Sequence, residues 1–199
     1  MNELERRIRD EIAAAGPMPF DRFMRLALYD PSLGYYRRGR DPFGAEGDYY
    51  TSSQLQPVFG RLIAQKIAEW ETRLGRPRDF TVVELGAGRG ETGREIRACL
   101  PHVRYSEVLP ERMVGVVFSN EFFDALPVRV FRQGESEVLE RFVGVENGRL
   151  AWVEARPLAP LPPLPVLEPG QTLEAGIEAL DWMERIGRVL ERGFVLTID

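Results

Sequence analysis

A glycine-rich turn at residues 84–90 (ELGAGRG) carries the clearest chemical signal in the sequence. It lies between residues 80–85, a β-branched run that predicts a buried strand, and a helix predicted over residues 91–100. Glycines allow a ligand to approach the backbone closely, and a helix N-terminus presents free N–H groups. The candidate ligand contacts in this turn are Glu84, Gly86, Gly88 and Gly90. The alternative is a glycine-rich βα turn without a ligand.

The spacing of the turn narrows the class of ligand. A dinucleotide-binding fingerprint would require glycine at position 91, where this chain has Glu91. The observed acid-x-G-x-G-x-G pattern instead suits a ligand without a pyrophosphate. A zwitterionic amino acid tail can meet both the N–H groups of the turn and nearby carboxylates such as Glu84.

A second acidic residue follows the next predicted strand. Glu107 lies 23 residues after Glu84, at the end of the strand predicted over residues 103–108. An acid at about this distance from the glycine turn can accept hydrogen bonds from both hydroxyls of a ribose. The alternative is an exposed glutamate with no ligand.

A third group of polar residues follows residues 113–119, an apolar run that predicts another buried strand. The group consists of Asn120, Glu121 and Asp124. Ligands of open α/β sheets bind at the carboxyl ends of the strands, so we expect these side chains to face the same crevice. Phe122 and Phe123 can exclude water from it. The alternative is that Asn120 caps a short helix and the phenylalanines belong to the core.

A fourth group, residues 47–53 (GDYYTSS), provides an acid, two phenols and three hydroxyls within seven residues. It ends a glycine-, tyrosine- and arginine-rich loop over residues 34–53, which is typical of a lid that orders over a ligand. Ser52 or Ser53 can instead cap the following helix.

Composition excludes several classes of protein. The 199-residue chain has one cysteine and one histidine, which rules out a disulfide framework and metal sites built from several thiolates or imidazoles. A net charge of −5 argues against a nucleic-acid partner. No apolar run is long enough to span a membrane, and the N-terminus predicts a charged helix rather than a signal peptide. We therefore expect no membrane partner and a cytoplasmic location.

Alternating helices and strands must position these groups. The predicted helices cover residues 2–15, 20–28, 56–74, 91–100 and 172–191, and the predicted strands cover residues 80–85, 103–108, 113–119 and 194–199. Alternating patterns at residues 128–132, 137–145 and 150–154 predict an antiparallel meander. Six prolines between residues 156 and 170 exclude regular structure there.

Two features predict that the sequence is abridged. The run from Val103 to Met113 leaves almost no room for a crossover helix between parallel strands, so we expect a missing segment near Glu107. The chain also ends at Asp199 on a predicted buried strand, without a covering helix.

Taken together, these groups resemble the MidA-type S-adenosylmethionine-dependent methyltransferases. The similarity lies in residues 16–36, 47–52, 84–90, 120–127 and 193–199, in that order along the chain. Mitochondrial members of this family are complex I assembly factors that methylate a protein arginine. The family usually has Pro-Glu after the Thr-Ser of its first signature, where this chain has Ser53-Gln54.

The resemblance implies an α/β fold with a Rossmann-like class I methyltransferase sheet. A helical N-terminal lid would occupy residues 1–55, and the methyltransferase domain residues 56–199, with a meander inserted at about 128–170. It implies S-adenosyl-L-methionine as cofactor and a protein arginine as acceptor. Glu121 and Asp124 are the candidate catalytic residues. The candidate cofactor contacts are Gly47, Asp48, Thr51, Glu84, Gly86, Gly88, Gly90, Glu107 and Asn120.

Two other functions fit the same scaffold. One is a nucleotide-dependent oxidoreductase, against which Glu91 argues. The other is a non-catalytic assembly or binding module that retains the cofactor fold, with Phe122, Phe123 or the proline-rich segment contacting a partner.

Overall fold

The computed structural model describes residues 2–37 and 57–199. Its helices are α1 (Glu3–Ala15), α2 (Phe20–Tyr29), α3 (Val58–Arg73), α4 (Glu91–Cys99) and α5 (Ile177–Val189). Its strands are β1 (Met18–Pro19), β2 (Phe80–Leu85), β3 (Arg104–Ser106), β4 (Met113–Asn120), β5 (Arg129–Gln133), β6 (Val138–Glu146), β7 (Arg149–Ala155), β8 (Thr172–Ala175) and β9 (Leu190–Ile198). In the described part of the chain, no helix has the length and apolar character needed to cross a membrane.

The chain divides into two compact units. One combines the described part of Met1–Asp41 with Leu126–Leu180, and the other combines the described part of Pro42–Ala125 with Asp181–Asp199. The division into a lid over residues 1–55 and a methyltransferase domain over residues 56–199 stays a prediction.

The second unit contains a parallel sheet with strand order β3-β2-β4-β9. Its central strands are buried almost throughout, because helices and apolar side chains cover both faces. On one face, Ile67 of α3 and Ile96 of α4 pack with Phe118 of β4. On the other, Ile186 of α5 packs with Val83 of β2. The α/β class predicted from the sequence is confirmed.

The first unit contains an antiparallel sheet with strand order β1-β6-β5-β8, and β7 pairs with β6. Strands β5, β6 and β7 therefore pair in chain order. Ile8 and Ile12 of α1 pack against Met18 and Val143, which pair in the sheet. Residues 156–171, between β7 and β8, contain neither helix nor strand, as the prolines predict.

The prediction of one helix over residues 172–191 is wrong. Residues Thr172–Ala175 form β8, which pairs with β5 and places Leu173 opposite Phe131. Helix α5 begins only at Ile177, and the chain enters β9 at Leu190. Gly193 therefore does not end a helix; it lies within β9, paired with Gly115 of β4. Pairing with strands distant in sequence overrides a local pattern that fits a helix.

The connection between β3 and β4 is also shorter than a crossover helix would require. Residues 107–112 link the two strands without a break and without regular structure. The strands are parallel and lie on either side of β2, so the link crosses about two strand spacings, roughly 10 Å, and returns about 13 Å along the strand direction, which is roughly 16 Å in total. An extended chain advances about 3.3 Å per residue, so six residues are sufficient. The segment expected to be missing near Glu107 stays a prediction.

Candidate active site

The carboxyl ends of the parallel strands bring most of the predicted site residues to one edge of the sheet. Leu85, the last residue of β2, pairs with Ser119 of β4, and Asn120 pairs with Ile198 of β9. Residues that follow these strands therefore emerge at the same edge. The predicted residues found there are Glu84, Gly86, Glu107, Asn120, Glu121 and Asp124. Three others, Gly47, Asp48 and Thr51, lie outside the described residues, as does most of the predicted 34–53 lid.

The glycine turn leaves open space at two of its three glycines. Gly88 and Gly90 have φ values of +55° and +73°, which a side chain rarely adopts. A Cβ at Gly88 would meet no atom nearer than 4.0 Å, and one at Gly90 would meet nothing within 4 Å. Gly86 differs, because its Cβ would lie 2.8 Å from the ring of Phe122. Glycine is needed at position 86 for packing, whereas Gly88 and Gly90 leave room for a ligand.

Asn120, the last residue of β4, holds an unpartnered polar atom. Its side-chain oxygen Oδ1 is buried and is the one such atom in residues 2–37 and 57–199 that has no hydrogen-bond partner. Leaving a buried acceptor unpaired costs about 1–3 kcal/mol, so an atom of this kind is expected where a ligand supplies the donor. The predicted helix cap is not observed; Asn120 belongs to the strand.

Three carboxylates cluster just beyond β4 and β9. Asp124 lies close enough to Asp199 for the two acids to interact, and the backbone N–H of Phe123 donates to Oδ2 of Asp199 at 3.3 Å. Glu121 has φ +49°, and its N–H donates to the carbonyl oxygen of Ile198 at 2.8 Å. The turn after β4 is thus fixed against the end of β9.

Partial loss of solvation and like charge perturb this exposed acidic cluster, which we define as Glu121, Asp124 and Asp199. Loss of solvation raises the pKa of Glu121, and the charges of Asp124 and Asp199 raise it further. Loss of solvation also raises the pKa of Asp124, with Asp199 as the next contribution. Carboxylates in this state bind a cation or accept a proton more readily than solvated ones. Asp199 was not a predicted site residue, although it follows β9 just as the predicted residues follow β4.

Aromatic side chains pack beside the acidic cluster. The Phe122 ring lies edge-on to Phe123, at 5.2 Å between centroids, and to Trp182 of α5, at 5.3 Å. Both phenylalanines are partly buried against the core that contains Val83 and Leu85. They therefore serve as core residues while lining one side of the predicted site.

Glu84 is buried and has a partner that the sequence did not indicate. It is 4% exposed, and the Tyr105 hydroxyl of β3 donates to its Oε2. Burial raises the pKa of Glu84, and the hydrogen bond from Tyr105 opposes that shift. The charge of Glu107 acts on Glu84 as well, so the acid near the end of β2 and the acid that follows β3 are neighbours. A tyrosine within a strand is usually a packing residue, which is why no sequence signal pointed to Tyr105.

Other potentially reactive residues have structural partners. Nε2 of His102 lies 3.0 Å from both carboxylate oxygens of Glu71. Lys66 is exposed and donates to Glu69 at 2.9 Å, as expected of a residue on a solvated helix face. Within the described ranges, no group of three or more His, Cys, Asp or Glu side chains is arranged to hold a metal ion.

A parallel sheet with a glycine turn, an unpartnered amide and acids at its carboxyl edge defines a Rossmann-like ligand-binding protein. Comparison with protein families identifies the class. The family described as "Putative S-adenosyl-L-methionine-dependent methyltransferase" matches residues 94–199, more than half of the chain. The chain belongs to this family of methyltransferases, in agreement with its resemblance to the MidA type.

Curated relatives share one name. The Drosophila melanogaster "Protein arginine methyltransferase NDUFAF7 homolog, mitochondrial" is 27% identical over 250 residues, covering 95% of this chain and 57% of the relative. The Danio rerio protein arginine methyltransferase NDUFAF7 is 28% identical over 206 residues, covering 73% of this chain and 48% of the relative. This chain thus spans about half the length of these relatives. The first alignment is longer than the 199-residue chain, so the fly protein has internal residues that this chain lacks.

Two solved structures from Burkholderia thailandensis share the fold. A protein crystallised with S-adenosyl-homocysteine superposes with a TM-score of 0.74 at 25% identity, over 96% of this chain and 61% of the other. A native crystal structure of an uncharacterized protein gives a TM-score of 0.70 at 26% identity, over 96% and 60% of the two chains. The family that this chain belongs to is described as dependent on S-adenosyl-L-methionine, which identifies the cofactor. The open space at Gly88 and Gly90 and the unpartnered Asn120 oxygen fit such a ligand.

Proposed function

We propose that this protein transfers a methyl group from S-adenosyl-L-methionine to an arginine of a partner protein. The acidic cluster is the observation that carries the acceptor assignment, because its three carboxylates stand together at the sheet edge where the methyl donor would bind. The names of the relatives, which are protein arginine methyltransferases, support it.

The chain's own residues would hold the cofactor as follows. The backbone at Gly88 and Gly90 would contact the ligand directly, and Glu84 would accept hydrogen bonds from its ammonium group. Glu107 would accept from the ribose hydroxyls. The unpartnered Oδ1 of Asn120 would accept one further ligand N–H. Gly47, Asp48 and Thr51 remain predicted contacts.

Recognition of arginine would come from the shape of its guanidinium group. This group is planar and offers five N–H donors in a fixed arrangement. Two of these donors can bind the two oxygens of one carboxylate at the same time. Glu121 and Asp124 would orient the fork toward the cofactor. A lysine presents a compact point charge and would lose that orientation.

The carboxylates would also handle the proton. When bound, S-adenosyl-L-methionine supplies an electrophilic methyl group on its sulfonium. Transfer forms an N–C bond and breaks the S–C bond, which leaves the substituted guanidinium nitrogen with one proton to lose. The raised pKa of Glu121 makes its carboxylate a better acceptor for that proton than a solvated glutamate.

The variant Glu121→Gln tests this role. The amide keeps hydrogen bonding but cannot balance the guanidinium charge or accept its proton. We expect turnover to fall about 100-fold or more, the usual contribution of a general base. Cofactor affinity measured by calorimetry should change by less than about threefold. Glu146→Gln, at the exposed end of β6, is the matched control. Loss of cofactor affinity in Glu121→Gln would contradict a catalytic role.

The acceptor itself is tested with methyl-labelled S-adenosyl-L-methionine and an extract of cells that lack this protein. Mass spectrometry of the labelled proteins identifies the modified side chain. Label on arginine is the expected result, and label on any other side chain would overturn the acceptor assignment. Cofactor binding without label on any protein would favour the non-catalytic module instead.

A further inference from the structure

Tyr105 forms a direct hydrogen bond to Glu84, a proposed cofactor contact, and has no role so far. It lies on β3, beside β2, and pairs with Val82 in the sheet. Its hydroxyl donates to Oε2 of Glu84, and burial together with this bond raises the pKa of the hydroxyl. The phenol is therefore a permanent donor to the carboxylate at any pH where the protein functions.

Helix α4 has a glycine, Gly93, directly beside this hydrogen bond. A Cβ at Gly93 would lie 2.1 Å from the Tyr105 hydroxyl oxygen and 3.0 Å from Oε2 of Glu84. Any side chain at position 93 would displace one of the two groups. The glycine turn precedes Gly93 by three residues, so the same helix start frames both the open turn and the buried bond.

One face of the tyrosine ring is covered by Arg97. The guanidinium carbon of Arg97 lies 4.8 Å from the ring centroid, a cation–π arrangement. The Nε–H of Arg97 donates to the carbonyl oxygen of Gly93 at 3.1 Å. Arg97, itself anchored to the helix backbone, therefore restricts the ring, and the bond to Glu84 fixes the hydroxyl.

We propose that Tyr105 is a positioning residue that holds the Glu84 carboxylate in place for the ammonium group of the cofactor, and that Gly93 provides the space for this contact. The inference rests on the proposed role of Glu84. It adds Tyr105 and Gly93 to the site. Neither residue belongs to the glycine turn or to the acids that follow the strands.

The contact has an electrostatic consequence. Glu84 binds an ammonium group only when it is ionised, and burial opposes ionisation. The charges that act on Glu84 are those of Glu107 and Glu91, which raise its pKa, and of Arg97, which lowers it. The Tyr105 hydrogen bond is the largest influence in the lowering direction. Removing it should raise the pKa of Glu84, so that ionisation is lost at a higher pH.

The test is calorimetric titration of S-adenosyl-homocysteine into the wild type, Tyr105→Phe, Glu84→Gln and the double variant from pH 6 to 8.5. We expect Tyr105→Phe to weaken binding about tenfold at pH 7, as for loss of a hydrogen bond to a charged group. The loss relative to wild type should grow as the pH falls. Comparing variants at each pH cancels the titration of the ligand's own amine. Thr81→Val, which removes a hydroxyl near the opposite end of β2 that donates to the carbonyl oxygen of Asp79, is the matched control.

The Glu84→Gln background separates positioning from general support of the fold. Tyr105→Phe should have little further effect there, because the carboxylate that it positions is gone. An equal loss in both backgrounds, or a loss that does not depend on pH, would overturn the proposal. Gly93→Ala should reproduce the Tyr105→Phe effect or exceed it, and wild-type binding would count against the steric argument. Failure of the wild type to bind the ligand would instead refute the proposed function.

Discussion

Each unit contains a group of acidic side chains, and the two groups differ in burial and in their partners. In the antiparallel sheet, Glu140 is 1% exposed and forms a two-pronged ion pair with Arg129, at 2.8 and 2.7 Å. Arg129 also donates to the carbonyl oxygens of Ala159 and Pro160, in the proline-rich segment. Every charge in this group has an opposite charge or a carbonyl beside it. It serves the structure by joining two strands and a loop.

At the carboxyl edge of the parallel sheet, the acidic cluster has no such partner among residues 2–37 and 57–199. None of the ion pairs between described residues includes Glu121, Asp124 or Asp199. Their neighbours are each other, which disfavours ionisation. A fold gains nothing from like charges left together, so this arrangement is informative about function. Glu140, which is paired with a cation, stabilises the antiparallel sheet. The acidic cluster, which is not paired with one among the described residues, is where a cationic group is expected to bind.

Breaking the ion pair of the antiparallel sheet should have the largest effect on stability. In Arg129→Ala, the Glu140 carboxylate stays buried without its partner, which typically costs about 3–5 kcal/mol. Chemical denaturation monitored by circular dichroism measures this loss. A change below about 1 kcal/mol would mean that water or another cation replaces Arg129.

A double variant sharpens the interpretation. Replacing both partners with apolar residues of similar size, as in Arg129→Met with Glu140→Leu, removes the buried charge altogether. We expect it to be markedly more stable than Arg129→Ala, because replacing a whole buried pair is often close to neutral. Equal destabilisation would show that packing rather than charge is responsible.

Gly88→Val should have the converse effect, with loss of ligand binding and retention of the fold. The new side chain would occupy the open space at the turn, and the backbone there has φ +55°. We expect affinity for S-adenosyl-L-methionine to fall more than about 100-fold. The free energy of unfolding should decrease by about 1–3 kcal/mol, as is typical of a strained residue. Calorimetry and thermal unfolding on the same sample measure both quantities.

Gly148→Val is the matched control for backbone strain. Gly148 lies between β6 and β7 with φ +73°, and a Cβ there also meets nothing within 4 Å. It should lose similar stability but keep cofactor affinity. Wild-type affinity in a folded Gly88→Val protein would contradict the proposed ligand position.

The sequence predicted the parallel sheet well because its signals are local. The β-branched run at residues 80–85 coincides with β2, and the apolar run from Met113 lies within β4. Polar residues directly after such strands must emerge at one edge, so most of the candidate site followed from strand identity alone. The place of the glycine turn, directly after β2, could also be predicted without any knowledge of tertiary contacts.

The contacts that complete the site could not be predicted in this way. The bond between Tyr105 and Glu84 joins residues 21 apart and depends on β3 lying beside β2. The contact of Asp124 with Asp199 depends on β9 lying beside β4. Strand order is a property of the whole fold. The same limit explains β8, whose pairing with β5 overrides a helical pattern.

The smallest expected effect concerns the acidic cluster itself and the stability of the protein. The pKa of Asp124 is raised in the folded state, so ionised Asp124 opposes folding. This cost is absent below the ordinary carboxyl pKa of about 4 and develops as the pH rises through the raised value. Asp124→Asn removes the cost, so the variant should be slightly more stable than wild type at pH 7. Because the side chain is largely exposed, solvent screening limits the gain to a few tenths of a kcal/mol.

The difference in unfolding free energy should vanish near pH 4, whereas Glu135→Gln, at an exposed turn, should show no such trend. A destabilised Asp124→Asn at pH 7 would mean that the cluster is structural, and the contrast with the Arg129–Glu140 pair would fail.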